Sequence, residues 1–171
     1  SIGFETFSES AMRGLKKLPK EVEVYRKVVK KIHEYGIIVL GSFVFGFDDD
    51  KKDVFGNSID LMKYIDVDSV GVNILTPFPG TPLFDRLERE GRILTKDWSR
   101  YNMRDVVFLP KHMSPEELKD GASYVAKEFF SWKNVINKLI ITMRYGILRS
   151  LSITYWNLAQ RRAFKNIWRW F

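Results

Sequence analysis

The sequence predicts an α/β fold built from about three parallel β–α units and followed by helices. Two patterns indicate this fold. Through residues 1–91, short apolar runs alternate with segments of helical periodicity, and such alternation favours a parallel sheet with right-handed crossovers. From residue 114 onward the periodicity is helical. Three units are too few to close a barrel, so the outer strands are expected to present open edges.

The first elements each have a local signal. Residues 2–4 are expected to be a strand remnant, and residues 8–17 a short helix with a serine cap. A second helix is predicted over 20–35, ending at a glycine. This helix carries apolar residues at helical spacing: Val24, Val28, Val29 and Ile32.

Two further strands follow, each with a helix after it. The run over 37–47 is almost continuously apolar and predicts a strand covered on both faces. A helix is predicted over 52–64, the next strand over 68–75, and a short helix over 83–89. The loop over 76–82 contains prolines that cannot continue a strand ladder.

The second half of the chain has a different pattern. Residues 92–113 are mixed, with a short strand predicted over 106–108. Serine, proline and two acids predict a helix start at 114, and this helix is expected to run to about 132. A final helical region is predicted over 134–171, with a break near Gly146.

The composition is that of a globular protein. Of 171 residues, 45% are apolar and 29% are charged, which excludes a disordered or collagen-like chain. There is no cysteine, so the chain offers no disulfide, no thiolate zinc site and no ligands for an iron–sulfur cluster. His33 is expected to face solvent from a helix, and His112 to lie in a loop. We therefore predict no metal-ligating residues in this chain.

The positive charge is concentrated in the tail. The net charge is +7, yet residues 131–171 contain eight Lys and Arg and no Asp or Glu. Apolar residues recur on one face of the tail: Ile140, Met143, Ile147, Leu151, Tyr155 and Leu158. Such a stripe most often packs on its own domain or on a partner subunit. The alternative is a basic amphipathic helix on an anionic membrane surface, which the aromatic content favours over nucleic acid. Arginines interrupt the apolar runs, so no membrane span is predicted.

Three segments follow predicted strand ends, where parallel α/β folds bind ligands. In GSFVFGFDDD, residues 41–50, Gly46 allows close approach of a flat ring or a ribose. The alternative is a bend and a solvated acidic turn. TPFPGTP, residues 76–82, is expected to be a structural turn. In IGFET, residues 2–6, an acid and a hydroxyl group follow the strand.

Taken in order, these segments resemble the C-terminal half of a radical S-adenosylmethionine (SAM) enzyme core, in the subgroup with a cobalamin-binding domain. The resemblance covers about residues 1–130. IGFET with SESAMRGLKK resembles the fourth strand and helix of that core, and SFVFGFDD resembles the fifth-strand motif GxIxGxxE. VNILTPFPGTPLFDRLEREGRI resembles the sixth strand with its loop, and is the most distinctive match. DWSRYN and VVFLPKHMSPEEL resemble the extension of this subgroup.

The resemblance implies a partial (βα) TIM-like barrel with its C-terminal half over 1–91, an extension over 92–133 and a basic helical tail over 134–171. It also implies contacts to SAM. Glu5 and Thr6 match polar positions of the fourth strand, and Leu75 would face the adenine. The fifth-strand motif aligns with four residues, of which the second glycine is retained: Ser42, Val44, Gly46 and Asp49. No catalytic residue is assigned.

The CxxxCxxC loop of the family, which binds a [4Fe–4S] cluster that chelates SAM, does not occur in this chain. The resemblance implies a parent enzyme that cleaves SAM reductively to a 5′-deoxyadenosyl radical, with cobalamin as a further cofactor if it is a methyltransferase. The chain begins at Ser1 without methionine, which agrees with an inactive fragment of that enzyme.

The fragment interpretation also implies partners. We expect the missing N-terminal half of the parent and an unknown substrate as partners, and self-association through the open sheet edge. We expect a cytoplasmic location, with the tail in contact with a membrane surface. The alternative function is a non-enzymatic interaction module whose basic tail binds a membrane or a protein.

Overall fold

A parallel sheet forms the centre of the molecule. The structure, a computed structural model, describes residues 1–5 and 20–167. Its strands are β1 (Ile2–Glu5), β2 (Leu40–Phe45) and β3 (Ser69–Ile74), and they lie in the order β1-β2-β3 with both pairs parallel. The predicted mixed α/β fold with three parallel strands is therefore confirmed.

Helices connect and follow the strands. In the described part of the chain they are α1 (Lys20–Glu34), α2 (Val54–Ile65), α3 (Pro82–Arg89), α4 (Pro115–Phe129), α5 (Trp132–Thr142) and α6 (Ile147–Ile167). Two 3₁₀ turns lie at Trp98–Arg100 and Met143–Tyr145. The helix predicted over 8–17 falls outside the described residues.

One face of the sheet packs into the core because alternate strand residues point to it. Phe43 and Phe45 of β2 are buried, as is Ile74 of β3. Phe4 of β1 stacks on Phe43, with ring centroids 5.5 Å apart, and the ring of Tyr25 from α1 meets Phe4 edge-on at 5.2 Å. These contacts bury the α1 side of the sheet.

The buried face of α1 differs from the predicted one. Val29 is buried as expected, but Val24 and Val28 are exposed, and the buried positions that accompany Val29 are Val22 and His33. The spacing that places Val29 on the core face also places a residue four positions further along on it. The sequence pattern therefore located the helix but misjudged its face.

Helices α4 and α5 divide where one helix was predicted through 132. Helix α4 begins with a capping box between Ser114 and Glu117 and ends at Phe129. The Ser131 hydroxyl then accepts a hydrogen bond from the Asn134 N–H at 3.3 Å, and the Asn134 side chain donates to the Phe129 carbonyl at 3.1 Å. A second serine cap thus starts a new helix at Trp132.

The prediction of a short strand over 106–108 is wrong. In the described residues this segment makes one isolated antiparallel bridge, between Phe108 and Ile93. Val107 is buried beside Tyr101 and Phe84 of α3. The apolar run is therefore explained by packing in an irregular segment rather than by a sheet ladder.

The tail has the predicted break but not the predicted packing. Gly146 adopts a φ of +116° between α5 and α6, as its position near a helix break led us to expect. The side chains that α6 buries deepest are those of Ser150, Ile153 and Asn157. The predicted stripe is exposed at five of its positions: Ile140, Met143, Ile147, Leu151 and Tyr155. The prediction that this stripe packs on its own domain is therefore wrong.

Among the described residues, no helix has the length and apolar character needed to cross a membrane.

Candidate functional site

The face of the sheet opposite the packed core is half-open and carries three of the predicted site residues. Ser42 and Val44 of β2 are half-buried, and they alternate with the buried residues of the same strand. Leu75 follows β3 and is also half-buried. Its N–H donates to the Phe45 carbonyl at 2.8 Å, which extends the register beyond the strand. The structure therefore brings these three residues to one face near the carboxyl ends of the strands.

A row of small residues crosses this face. Gly3, Ser42 and Gly71 are aligned in the register of the three strands. A Cβ atom added at Gly3 would meet no atom within 4 Å, and one at Gly71 would meet only the Asn73 side chain, at 3.9 Å. By contrast, a Cβ atom at Gly41 on the packed face would lie 2.8 Å from the Phe43 ring. The row leaves room for a flat group to lie against the backbone.

Asn73 lies beside the candidate residue Ser42, and the sequence did not predict it as a candidate. Its side-chain amide donates to the Ser42 hydroxyl at 3.3 Å, across the β2–β3 pair. The two groups place a hydroxyl and an amide side by side on the half-open face. Asn73 lies two residues before Leu75, and this even spacing within a strand was the signal that could have revealed it.

Gly46 occupies a position that only glycine fits. Its φ is +109°, and a Cβ atom there would lie 2.8 Å from a Leu118 methyl group and 3.2 Å from the Phe108 ring. The Asp50 carboxylate accepts hydrogen bonds from the N–H groups of Gly46 at 2.8 Å and Phe47 at 3.0 Å. Asp50 is thus a buried loop anchor.

The other acidic candidates have different surroundings. Asp49, which aligns with the acidic position of the motif, is exposed. A solvated turn therefore describes Asp49 but not the buried Asp50. Glu5 ends β1 opposite Phe43, and Thr6 falls outside the described residues. No cluster of three or more His, Cys, Asp or Glu able to hold a metal occurs among the residues that the structure describes.

Asp48 joins three cations next to the carboxyl end of β2. Its carboxylate contacts the Arg86 guanidinium, lies 2.9 Å from the Arg92 guanidinium and lies 3.3 Å from the Lys111 ammonium. Burial alone would raise the pKa of Asp48, but hydrogen bonds from these three cations outweigh it and lower that pKa to about 2. The cluster fixes α3 and the segments around Arg92 and Lys111 to the loop after β2.

This cluster predicts acid sensitivity. The folded pKa of Asp48, about 2, lies below the ordinary value of 3.8. Its contribution to stability is therefore complete above about pH 4 and is lost as the pH falls toward 2. Since Lys111 is exposed and Arg86 is only half-buried, solvent screens part of this interaction, and we expect Asp48→Asn to lower the free energy of unfolding by about 1–2 kcal/mol at pH 6. Urea titrations across this pH range measure the difference.

The neighbouring aspartate supplies the control for that experiment. Asp49→Asn changes an exposed carboxylate one residue away, and its effect is expected to stay within about 0.5 kcal/mol. If the difference between wild type and Asp48→Asn were the same at pH 6 and at pH 2, the three cations would not be stabilising the protein through this carboxylate.

The loop over 76–82 acts as the structural turn that the sequence predicts. The Thr81 hydroxyl accepts a hydrogen bond from the Phe84 N–H at 3.3 Å and caps α3. It also donates to the Phe78 carbonyl at 2.7 Å. Gly80 has a φ of +80°, which the tight reversal requires.

A buried polar cluster, which we call the Asp68 cluster, lies at the opposite end of the sheet. It comprises His33, Val39, Asp68, Arg149 and Asn157. His33 Nε2 lies 2.9 Å from Asp68 Oδ2, so the prediction that His33 faces solvent is wrong. The Val39 N–H donates to the same carboxylate at 2.8 Å, and Arg149 Nη2 lies 3.4 Å from it. His112, by contrast, is exposed in a loop as expected.

The comparisons with known proteins identify methyltransferases as relatives. The chain is 30% identical over 139 residues to bacteriochlorophyllide d C-12(1)-methyltransferase of Chlorobaculum tepidum, a match that covers 81% of the chain and 30% of the relative. It is 24% identical to bacteriochlorophyllide d C-8(2)-methyltransferase of the same organism, over 95% of the chain and 37% of the relative. Hopanoid C-2 methylase of Rhodopseudomonas palustris is 29% identical over 56% of the chain and 18% of its own length.

Each of these matches covers only part of the relative. The chain spans about a third of the length of the first two relatives and less of the third. No family model matches the chain. The relatives are radical SAM enzymes, and the chain is therefore similar, at low identity, to one part of radical SAM methyltransferases.

Proposed function

We propose that this chain is the C-terminal half of the partial (βα) barrel of a radical SAM enzyme, with an extension and a helical tail. The observation that carries the proposal is the half-open sheet face. Ser42, Val44 and Leu75, chosen from the motif resemblance alone, lie together on it near the carboxyl ends of parallel strands. The relatives, which are radical SAM methyltransferases, support the coarser part of the proposal, that the chain is part of such an enzyme.

The residues present fit SAM. Gly3 and Gly71, on either side of Ser42 in the register, leave backbone surface that a Cβ atom would cover. Beside it, the Ser42 hydroxyl and the Asn73 amide offer hydrogen bonds to a ribose or an amino-acid group. We propose that Leu75 supplies the apolar contact to the adenine.

The motif resemblance implies four further contacts. Glu5 ends β1, and Thr6 follows it in sequence. Gly46 lies just beyond β2 in the loop that Asp50 anchors, and Asp49 follows in that loop. These residues are proposed to contact SAM on the strength of the motif resemblance.

The cluster that binds SAM must be held by another part of the protein, because this chain contains no cysteine. When SAM is bound to that cluster, the pair supplies a 5′-deoxyadenosyl radical. The role proposed for this chain is to bind and orient SAM along the strand ends. Cobalamin dependence is part of the proposal, since the resemblance is to the subgroup with a cobalamin-binding domain.

The names of the relatives also indicate a substrate class. Two act on bacteriochlorophyllide d, and a third is named for hopanoids. These are large, mostly apolar polycyclic molecules. We propose methyl transfer to a carbon atom of such a molecule as the reaction of the whole protein.

An activity assay on the whole protein tests the proposal. After anaerobic reconstitution with iron and sulfide, it should release 5′-deoxyadenosine from SAM in the presence of dithionite. Within it, Gly71→Val should weaken SAM binding by about tenfold, or 1.4 kcal/mol, because the valine side chain occupies the open row. Equilibrium dialysis with labelled SAM measures the change.

Gly56→Val is the matched control. Gly56 is an exposed residue in the first turn of α2, and nothing lies within 4 Å of its added Cβ. SAM affinity should be unchanged in this variant. Absence of 5′-deoxyadenosine from the reconstituted protein would contradict the proposed class, and unchanged affinity in Gly71→Val would contradict the proposed position of SAM.

A further inference from the structure

Helix α6 buries polar side chains together with Ile153 and leaves several large apolar side chains exposed. The Arg149 side chain is 7% exposed and donates to the His33 carbonyl at 3.1 Å, and Asn157 is buried and donates to the Asp68 carbonyl at 2.9 Å. On the opposite side, Leu148 is 79% exposed and Tyr155 is 76% exposed. Helices at a water-facing surface have the reverse arrangement.

The outward side of α6 is uncharged over several turns. Between Arg149 and Arg161 the sequence contains no charged residue. Leu151 and Trp156 are also about half exposed, at 53% and 49%. Helix α5 and the turn after it expose further apolar side chains: Trp132, Ile136, Ile140 and Met143. An exposed apolar area of this kind marks an interaction surface.

A cationic cleft adjoins this surface. Its volume is about 610 Å³, and four basic residues line it: Arg26, Lys30, Lys63 and Arg144. Asp66 is the acidic residue in its lining, and it is engaged by Lys138 at 2.5 Å and by Arg144 at 3.3 Å. The lining therefore carries a net positive charge and favours an anionic group.

Residues that line the cleft and exposed apolar residues of α6 are neighbours in sequence. Ile141 lines the cleft and is 40% exposed, and Arg144 lines it from the turn between α5 and α6. Leu148, the most exposed apolar residue of α6, comes four residues after Arg144. Four residues span less than about 15 Å even when extended, so one surface can engage both regions.

We propose that helices α5 and α6 dock on the headgroup layer of an anionic phospholipid bilayer. The cationic cleft takes the headgroup phosphate, and the outward side of α6 lies at the boundary of the acyl chains. Tyr155 and Trp156 are exposed on α6, and such amphipathic aromatic rings favour the interface between headgroups and hydrocarbon. This surface lies outside the proposed SAM site, so the inference does not rest on the proposed function.

The charge of the tail distinguishes a lipid surface from other occupants. Residues 131–171 carry eight Lys and Arg and no Asp or Glu. A second copy that paired through a symmetric contact would bring the cationic cleft, with its four basic residues, against itself. An anionic bilayer supplies both the negative charge and the apolar layer that this surface requires.

Vesicle flotation of the full 171-residue chain tests the proposal. Wild type should float with vesicles of equimolar phosphatidylglycerol and phosphatidylcholine, and much less with phosphatidylcholine alone. Leu148→Ser/Tyr155→Ser should reduce binding by about tenfold or more, since two apolar anchors are lost. Lys30→Gln/Lys63→Gln should reduce the preference for the anionic vesicles. Inorganic phosphate at the ionic strength of a chloride control should compete weakly.

Leu94→Ser/Leu109→Ser is the matched control. These two leucines are 46% and 40% exposed outside the tail, and their replacement should leave binding unchanged. Circular dichroism checks that every variant is folded. Failure of the wild type to float, or equal flotation of Leu148→Ser/Tyr155→Ser, would overturn the proposal. A lipid-free dimer in sedimentation velocity that Leu148→Ser/Tyr155→Ser dissociates would overturn it as well, because a second copy would then cover this surface.

Discussion

Replacing Asp68 with alanine should lower the free energy of unfolding by about 3–5 kcal/mol, because it leaves the Arg149 guanidinium and buried hydrogen-bond donors without their shared acceptor. Asp68 is fully buried before β3. Its carboxylate receives the Val39 N–H, lies 2.9 Å from His33 Nε2 and lies 3.4 Å from Arg149 Nη2. Chemical denaturation at pH 7 measures the change.

The protonation of Asp68 supports an effect of this size. Burial alone would raise the pKa of Asp68, but the hydrogen bonds from His33 and from the Val39 N–H outweigh it and lower that pKa. The carboxylate is therefore ionised at pH 7, and the groups around it are arranged for a negative charge.

Two comparisons identify the Asp68 cluster as the cause. Asp60→Ala removes an exposed aspartate of α2 and should change stability by no more than about 0.5 kcal/mol. In a double-mutant cycle, Asp68→Ala and Arg149→Ala should be less than additive, since they break the same contact. Full additivity, or a loss below about 1 kcal/mol in Asp68→Ala, would contradict the structural role assigned to this carboxylate.

Gly121→Val should destabilise the protein by about 3 kcal/mol, although valine is a better helix former than glycine. Gly121 lies within α4, and a Cβ atom there would lie 2.1 Å from the Phe55 ring of α2. Phe55 is itself buried and packs against Phe45 of β2, with ring centroids 5.4 Å apart. The ring therefore has no room to withdraw, and α4 must move away from α2.

Gly56→Val supplies the matched comparison for this substitution. It makes the same chemical change in the first turn of α2, where an added Cβ atom meets nothing within 4 Å. Its effect on the midpoint of thermal unfolding should be small and stabilising or neutral. Equal melting temperatures for wild type and Gly121→Val would show that the contact between α2 and α4 is not close-packed.

The sequence predicted the sheet well because its signal is local. The runs over 37–47 and 68–75 are apolar, and they contain β2 and β3. The burial on both faces predicted for 37–47 is not met, because Ser42 and Val44 are only half-buried. The ends of β2 could not be placed, since Ile37 and Ile38 continue the apolar run but are exposed. Apolar character indicates burial, whereas strand ends depend on which backbone groups find a partner.

The predictions that failed depend on contacts between distant residues. His33 has charged neighbours in sequence, but its buried partner, Asp68, lies 35 residues away. Similarly, the apolar stripe of the tail was located correctly, yet Arg149 and Asn157 give α6 its inward side through bonds to that same region. Periodicity identifies a face of a helix but not the direction in which that face points.

The candidate site was predicted in part. The spacing of two between Ser42 and Val44 places them on one side of a strand, and the structure agrees. Asn73 was missed because an amide within an apolar run carries no motif of its own. Among three consecutive aspartates, the sequence could not indicate that Asp50 anchors the loop, because the carboxylate is placed by the positive φ of Gly46.

The attachment of α6 through the Asp68 cluster has a geometric consequence. That cluster lies at the amino ends of the strands, whereas Leu75 lies just beyond the carboxyl end of β3, about 20 Å further along a six-residue strand. The tail is therefore anchored at the end of the sheet that lies away from the proposed SAM contacts. If the exposed side of α6 were bound to a membrane or to a sensor chip, we expect the carboxyl ends of the strands to stay accessible to small molecules.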